Sequence, residues 1–381
     1  MVYSLLEQLK PATRTLIAGL LALLILGCEQ APAPTKVLHV GVLVDASGPT
    51  SSLGIAGRNG MQLAVEQANA RAAANAAQVE LHFQDDGFNA GAAKQAVQQL
   101  LNDQVVAILG PMTSMIAVQV LPELNQTGVV LMGGSVLTPL LAGRDDQFFR
   151  TVSHQNPDAK QVADYLQQRL GVQRLNVIIE LSNSQFTQPW LNDFARHYRA
   201  AGASIEHTLS FTRDAKTNYA SLAKQALLNQ PQAVVLICGA LDAAMLATQL
   251  RKIRPELPLA ASSGAAVDAL LEMGGRAVEG LVSAQGYNAD DQSPAFLAFR
   301  SAYQARFKTP IDSAAVIGFN AANVLLQALR ERQPNESVKQ ALLRVRSFQG
   351  LQQAIRFDEF GDVDSPAFLK VIQQGRFVNA H

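Results

Sequence analysis

From Lys36 onward, short apolar runs rich in β-branched residues alternate with stretches of helical spacing. No other feature constrains the fold as strongly. VLHVGVLV (37–44), VELHF (79–83), VVAIL (105–109) and GVVLM (128–132) read as strands. Between them, residues 57–75, 91–103 and 115–125 repeat apolar positions at helical spacing, as in Met61, Leu63, Ala64 and Ala68. The cycle resumes with NVIIEL (176–181), SIEHTLSF (204–211), AVVLI (233–237), LPLAA (257–261) and GLVSA (280–284). Strands separated by helices imply parallel sheets joined by right-handed crossovers. Near-continuous apolar strands imply sheets covered on both faces. Helices are expected to dominate from Pro294 to Val345, followed by strands near Ala354–Phe357 and Ala367–Ile372. The 381 residues exceed the usual size of one domain, so two open α/β units are expected. Ligands of such sheets bind beyond the carboxyl ends of the strands. Two facing units would therefore line a cleft with the loops 45–53, 110–114, 133–139, 182–190 and 238–242.

The start of the chain carries an address. Lys10 and Arg14 precede an apolar run from Leu16 to Leu26, and Gly27 and Cys28 end it. A positive start, a short apolar core and a small residue before a cut site make a secretory signal over residues 1–27. The run is about half the ~20 apolar residues needed to span a bilayer. Ile25-Leu26-Gly27-Cys28 resembles the bacterial lipobox, which implies a lipidated Cys28 and a membrane anchor. Residues 28–36, rich in Pro, read as an extended tether. Glu29 stands where an Asp would retain a lipoprotein in the inner membrane, so the choice of membrane is open. The expected location is the periplasmic side of a bacterial membrane. With Cys28 lipidated, Cys238 is the only remaining cysteine and no intramolecular disulfide is expected.

Composition excludes several functions. Basic and acidic residues balance at 31 each, without the basic footprint that a nucleic-acid partner needs. The six His are scattered without metal-ligand spacing, so neither a metal nor a cofactor is expected, and His39 and His82 read as structural strand residues. There is no GxSxG elbow, no phosphate loop and no GxGxxG after the first strand. Asp85-Asp86 is a poor carboxylate pair, because neighbours on an extended chain point oppositely. The best local signal is Gly110-Pro111-Met112-Thr113-Ser114, which follows a strand and opens a helix. Ser114 is expected either to cap that helix or to help its free N–H groups bind an anion. Gly133-Gly134-Ser135 would allow close backbone approach to a ligand. Gln188-Pro189-Trp190 reads as a helix start with Phe186 on the cleft side.

Six segments occur in an order and spacing that resemble a known family: DASGP (45–49), QDDGFNAGAA (84–93), AILGPMTS (107–114), FFRTV (148–152), RAVEGLVSA (276–284) and FDEFGD (357–362). The chain is similar to periplasmic substrate-binding proteins of branched-chain amino acid or amide ABC transporters, the leucine/isoleucine/valine-binding proteins, over residues 37–378. The resemblance implies an α/β fold of two Rossmann-like lobes that close on ligand like a flytrap. One lobe would be residues 37–154 plus 287–366, and the other 155–286 plus 367–378. It implies no enzymatic activity, and it implies ABC permease subunits as partners.

Carried over residue by residue, the family's ligand-binding positions fall on Leu53, Thr113, Ser114, Ser135, Val136, Thr138, Gln155, Phe186, Ala240 and Ser263. Two positions that hold an α-ammonium in the family are acidic there, whereas here they are Gln155 and Ser263. A buried ammonium without a carboxylate costs several kcal/mol. The expected ligand is thus amino-acid-like, an amide or an organic acid, without standard α-ammonium recognition. Two alternatives remain at this stage. One is a cell-envelope lipoprotein that senses a ligand or binds an envelope protein partner and transports nothing. The other is a hydrolase using Ser114, for which no base is visible in the sequence.

Overall fold

The computed structural model describes residues 36–73 and 76–380. The expected signal peptide, Cys28 and all of the tether but Lys36 lie outside the described residues. Among the described residues, no helix is long and apolar enough to cross a membrane. Lys36 and Val37 group with residues 72–73 and 76–78 in a small unit, in which the Gln78 amide donates to the Lys36 carbonyl at 2.9 Å. Everything below concerns the large unit, Leu38–Arg71 with Val79–His381.

Fourteen strands are described: β1 (Val37–Val44), β2 (Gln78–Asp85), β3 (Ala107–Leu109), β4 (Val130–Gly133), β5 (Phe148–Arg150), β6 (Arg174–Glu180), β7 (Ser204–Phe211), β8 (Ala233–Ile237), β9 (Leu259–Ala261), β10 (Val282–Gln285), β11 (Ser347–Gln349), β12 (Ala354–Arg356), β13 (Phe368–Gln373) and β14 (Arg376–Asn379). Eleven α-helices accompany them: α1 (Ser51–Arg71), α2 (Ala90–Asn102), α3 (Ser114–Thr127), α4 (Pro157–Asp164), α5 (Ser184–Ala200), α6 (Tyr219–Ala226), α7 (Ala240–Ile253), α8 (Asp268–Gly274), α9 (Pro294–Phe307), α10 (Ser313–Glu331) and α11 (Val338–Val345).

The strands form two main sheets, one per lobe. The first has the order β2-β1-β3-β4-β5, with parallel pairing from β1 through β5. The second has the order β14-β13-β10-β9-β8-β6-β7. Its strands β6 to β10 are parallel, whereas β13 runs antiparallel to both β10 and β14. The expected all-parallel pattern fails there. β13 returns to the second sheet from the first lobe and runs against β10, then turns tightly through Gln374-Gly375 into β14, and a tight hairpin joins only antiparallel strands. β11 and β12 form a separate ribbon.

Burial explains the strand sequences. Every residue of Ala233–Ile237 is buried, as are all but the first of Arg174–Glu180. Such strands need apolar side chains on both faces. In the first lobe, α1 and α10 approach each other at glycines. A Cβ on Gly318 would lie 2.1 Å from the Gly57 carbonyl oxygen, and one on Gly60 would lie 2.0 Å from that of Ala315. The chain passes between the sheets three times, after β5, after β10 and before β13. Two of these passages are tied together. Ser153 bridges Val363 in parallel, and the Ser153 amide donates to Ser365 Oγ at 2.9 Å.

Candidate functional site

The loops that follow the strands are held by buried polar anchors. Asp45, at the end of β1, accepts from the Gly48 amide at 2.5 Å and from the Thr50 amide and hydroxyl at 2.7 Å each. This turn places Pro49, Thr50 and Leu53 at the cleft. Arg150, fully buried, donates through Nη1 to the carbonyls of Val136 (3.2 Å) and Thr138 (2.7 Å). Its Nε meets Asp362 Oδ1 at 2.7 Å. Two segments of the family resemblance, FFRTV and FDEFGD, are thus joined by an ion pair that pins the 135–138 loop. On the other lobe, the Glu180 carboxylate accepts from the Ser182 amide at 2.7 Å and the Asn183 amide at 3.3 Å. Asn183 Oδ1 then takes the Met115 amide at 3.0 Å, linking the start of α3 to the start of α5.

Two adjoining cavities lie between the lobes. The larger, about 330 Å³, is lined by Leu53, Ser135 and Leu137 from one lobe, by Asp158, Ser263 and Gly264 from the other, and by Thr151 and Gln285 beside the crossings. The smaller, about 60 Å³, shares Leu53, Ser135, Leu137 and Gly264 and adds Thr113, Phe186 and Cys238. Each of the five loops expected to face a cleft contributes lining residues.

The predicted positions divide. Leu53, Ser135 and Ser263 line the larger cavity. Thr113 and Phe186 line the smaller one. Ser114, Val136, Thr138, Gln155 and Ala240 line neither. Ser114 is buried, and its Oγ accepts the Thr138 amide at 3.2 Å. It therefore ties two loops together, while Thr113 occupies the N-cap position without a side-chain cap bond. The Met115 amide, offered by sequence to an anion, is occupied by Asn183. Val136 is fully buried in the core, and its carbonyl serves Arg150. Thr138 caps the turn at Pro139, accepting from the Leu140 amide. Gln155 is exposed, and Ala240 packs in the core at the start of α7. Gly133 and Gly134 make room for Phe148 and Met112 rather than for a ligand. α5 begins at Ser184, leaving Pro189 inside the helix.

Asp158 is one of several lining residues that sequence reading missed, with Leu137, Thr151, Gly264 and Gln285. It follows Pro157 in the first turn of α4 and is buried. Its Oδ2 accepts from Trp190 Nε1 at 2.6 Å and from the Ser263 amide at 3.3 Å. Burial pushes its carboxyl above the usual range, against those two hydrogen bonds. Nearby, Thr151 Oγ1 and Gln285 Oε1 are buried without a partner among the described residues. Gln285 already spends its Nε2 on the Ala266 carbonyl at 3.0 Å, so only its acceptor is free. None of the residues lining the larger cavity is Lys or Arg. In the smaller cavity, Arg213 faces Asp242 at 3.6 Å, and Asp242 also takes the Tyr219 hydroxyl at 2.6 Å. Burial raises the Cys238 thiol well above its ordinary range, so it is an inert lining group. The Ser114 hydroxyl, the group a hydrolase would use, meets the Thr138 amide.

This architecture has known counterparts. The sequence profile of the periplasmic binding protein family matches residues 37–376. The Leu/Ile/Val-binding protein homolog 3 of Brucella melitensis is 22% identical over 337 residues, covering 87% of this chain and 90% of that protein. The branched-chain amino acid transporter substrate binding protein LivJ of Streptococcus pneumoniae, solved with isoleucine, superposes with a TM-score of 0.82 at 19% identity, covering 90% of this chain and 98% of that one. A solute binding protein of an R. palustris ABC transporter, solved with benzoate, gives 0.80 at 16% identity, covering 90% and 95%. At these identities the structures establish the type 1 periplasmic binding protein fold.

Proposed function

The chain belongs to the periplasmic binding protein family, and on that premise we propose that it captures a small organic ligand between its lobes and presents it to the permease subunits of an ABC transporter. It catalyses nothing. The lobes that close are residues 37–154 plus 287–366 and residues 155–286 plus 367–378, and a lipidated Cys28 holds the protein at the periplasmic side of its membrane. One observation carries the reading: a cavity of about 330 Å³ that draws lining residues from both lobes and holds unpartnered polar atoms.

Those atoms narrow the ligand. Gln285 Oε1 is an acceptor, Asp158 offers a second carboxylate oxygen, and Thr151 can donate or accept. A carboxylate ligand would meet no Lys or Arg among the residues that line this cavity. An N–H donor suits both acceptors. The reading is therefore an amide-bearing ligand, with its N–H groups on Gln285 and Asp158 and its apolar part against Leu53 and Leu137. Among the sequence-based expectations, this favours the amide. It also qualifies the argument from Gln155, since one carboxylate lines the cavity three residues further on.

The test is calorimetry with small amides, amines, leucine and benzoate, with Trp190 fluorescence as a second readout because its indole donates to Asp158. An amide should bind, and Asp158→Asn should weaken it about tenfold or more, the loss of one hydrogen bond to a charged or polar acceptor. Tight benzoate binding that Asp158→Asn leaves unchanged would refute the ligand assignment. Silence across the whole panel would refute capture in this cavity.

A further inference from the structure

A second site lies on the edge of the first sheet, away from the ligand cavity. His39 stands on β1, and Glu80 and His82 stand on β2, the edge strand. Residues 80 and 82 share a strand face because side chains alternate. Their ligand atoms and that of His39 all lie within 4.8 Å of one another. His39 Nδ1 is 2.8 Å from His82 Nε2, and each imidazole nitrogen is 4.0 Å from a Glu80 oxygen. Behind them, His82 Nδ1 lies 3.1 Å from Asp103 Oδ2.

We propose that His39, Glu80 and His82 form a binding site for one divalent transition-metal ion. Asp103 accepts only, so it places the His82 proton on Nδ1 and turns the Nε2 lone pair toward His39 and Glu80. A carboxylate on the far nitrogen is the usual outer partner of a metal-bound imidazole, fixing its tautomer and raising its basicity. Without metal, His39 Nδ1 donates its proton to His82 Nε2. On metal binding that proton moves to His39 Nε2, and both facing lone pairs bond the ion. Two nitrogens on a tetrahedral ion at about 2.0–2.1 Å sit roughly 3.3 Å apart. The rings must open by about half an ångström, which the partly exposed His39 side chain can accommodate. Two imidazoles and one carboxylate favour Zn²⁺, Ni²⁺ or Cu²⁺ over Mg²⁺ or Ca²⁺. Three protein ligands leave a fourth position facing solvent, beside the exposed Glu80.

The experiment is a ZnCl₂ titration of the chelator-treated full chain by calorimetry, with retained zinc counted after gel filtration. One equivalent should bind with micromolar affinity or better, and MgCl₂ should give no heat. Cys28→Ser should leave that equivalent in place, which separates this site from the leader thiol. His82→Gln should abolish it, and so should His39→Gln, each checked for folding by circular dichroism. Asp103→Asn keeps all three ligands and should weaken zinc 10–100-fold. Failure to retain zinc, or variants that bind as well as the parent, would overturn the proposal.

Discussion

Asp362→Asn should be among the most destabilising single changes in this protein. The Arg150 side chain is 0% exposed and that of Asp362 is 4% exposed, with Arg150 Nη2 2.5 Å from Oδ1 in addition to the Nε bond. Burial lowers the guanidinium's proton affinity and Asp362 offsets part of that loss. Asparagine keeps the shape but leaves the guanidinium without its nearest counter-charge. Removing one partner of a buried pair costs about 3–5 kcal/mol. The Gly143 amide, bonded to Asp362 Oδ2 at 2.8 Å, must also be re-satisfied. With a urea m-value of about 3 kcal/mol/M, the unfolding midpoint should fall by more than about 1 M. The internal control is Glu66→Gln, which breaks a bidentate pair with Arg306 between side chains 39% and 49% exposed. Solvent screening keeps that loss small beside that of the buried pair. Urea unfolding of both variants, followed by far-UV circular dichroism, makes the comparison. Equal shifts for the two, or a shift for Asp362→Asn below about 0.3 M, would refute the argument that burial sets the magnitude. Because Arg150 also holds the Val136 and Thr138 carbonyls, the same variant should weaken ligand capture at Ser135 and Leu137.

Gly318→Ala should destabilise although alanine is the better helix former. The propensity gain is about 1 kcal/mol. The new Cβ lands 2.1 Å from a backbone oxygen of α1, so two packed helices must separate, which costs about 1–3 kcal/mol and outweighs it. A raised melting temperature would show that the helices part freely. Stability should also fall as pH rises from about 4 to about 7. Burial raises Asp86 and Asp268 to about 7 and Asp312 to about 6, with like charges adding to the shift. A carboxyl with a raised folded-state pKa stabilises fully below its unfolded pKa and loses that stability as pH climbs through the folded value. Asp268→Asn should flatten the profile over that window, and parallel melting profiles for variant and parent would count against it.

What could be read from the sequence, and what could not, divides along one physical line. Strands such as Ala233–Ile237 announce themselves because every residue must be apolar, and the alternation with helices then dictates parallel sheets and cleft loops after the strands. Which side chain enters the cleft is a different question, since irregular backbone has no period. In the 135–138 loop, Ser135 and Leu137 face the cavities while Val136 and Thr138 are turned into the core by Arg150, a residue on another strand. Asp158 left one local trace: Pro157 after Asn156 marks a helix start, which would have put an acid in the first turn at the cleft. His39 and His82 are 43 residues apart and meet only because β1 and β2 are neighbours. The spacing of His82 from Glu80 was visible, but the register that brings His39 opposite them was not. A scan for metal motifs along the chain tests ligands on one element. It is blind to a site built across two strands, and in a sheet protein cross-strand pairing is the usual way distant side chains meet.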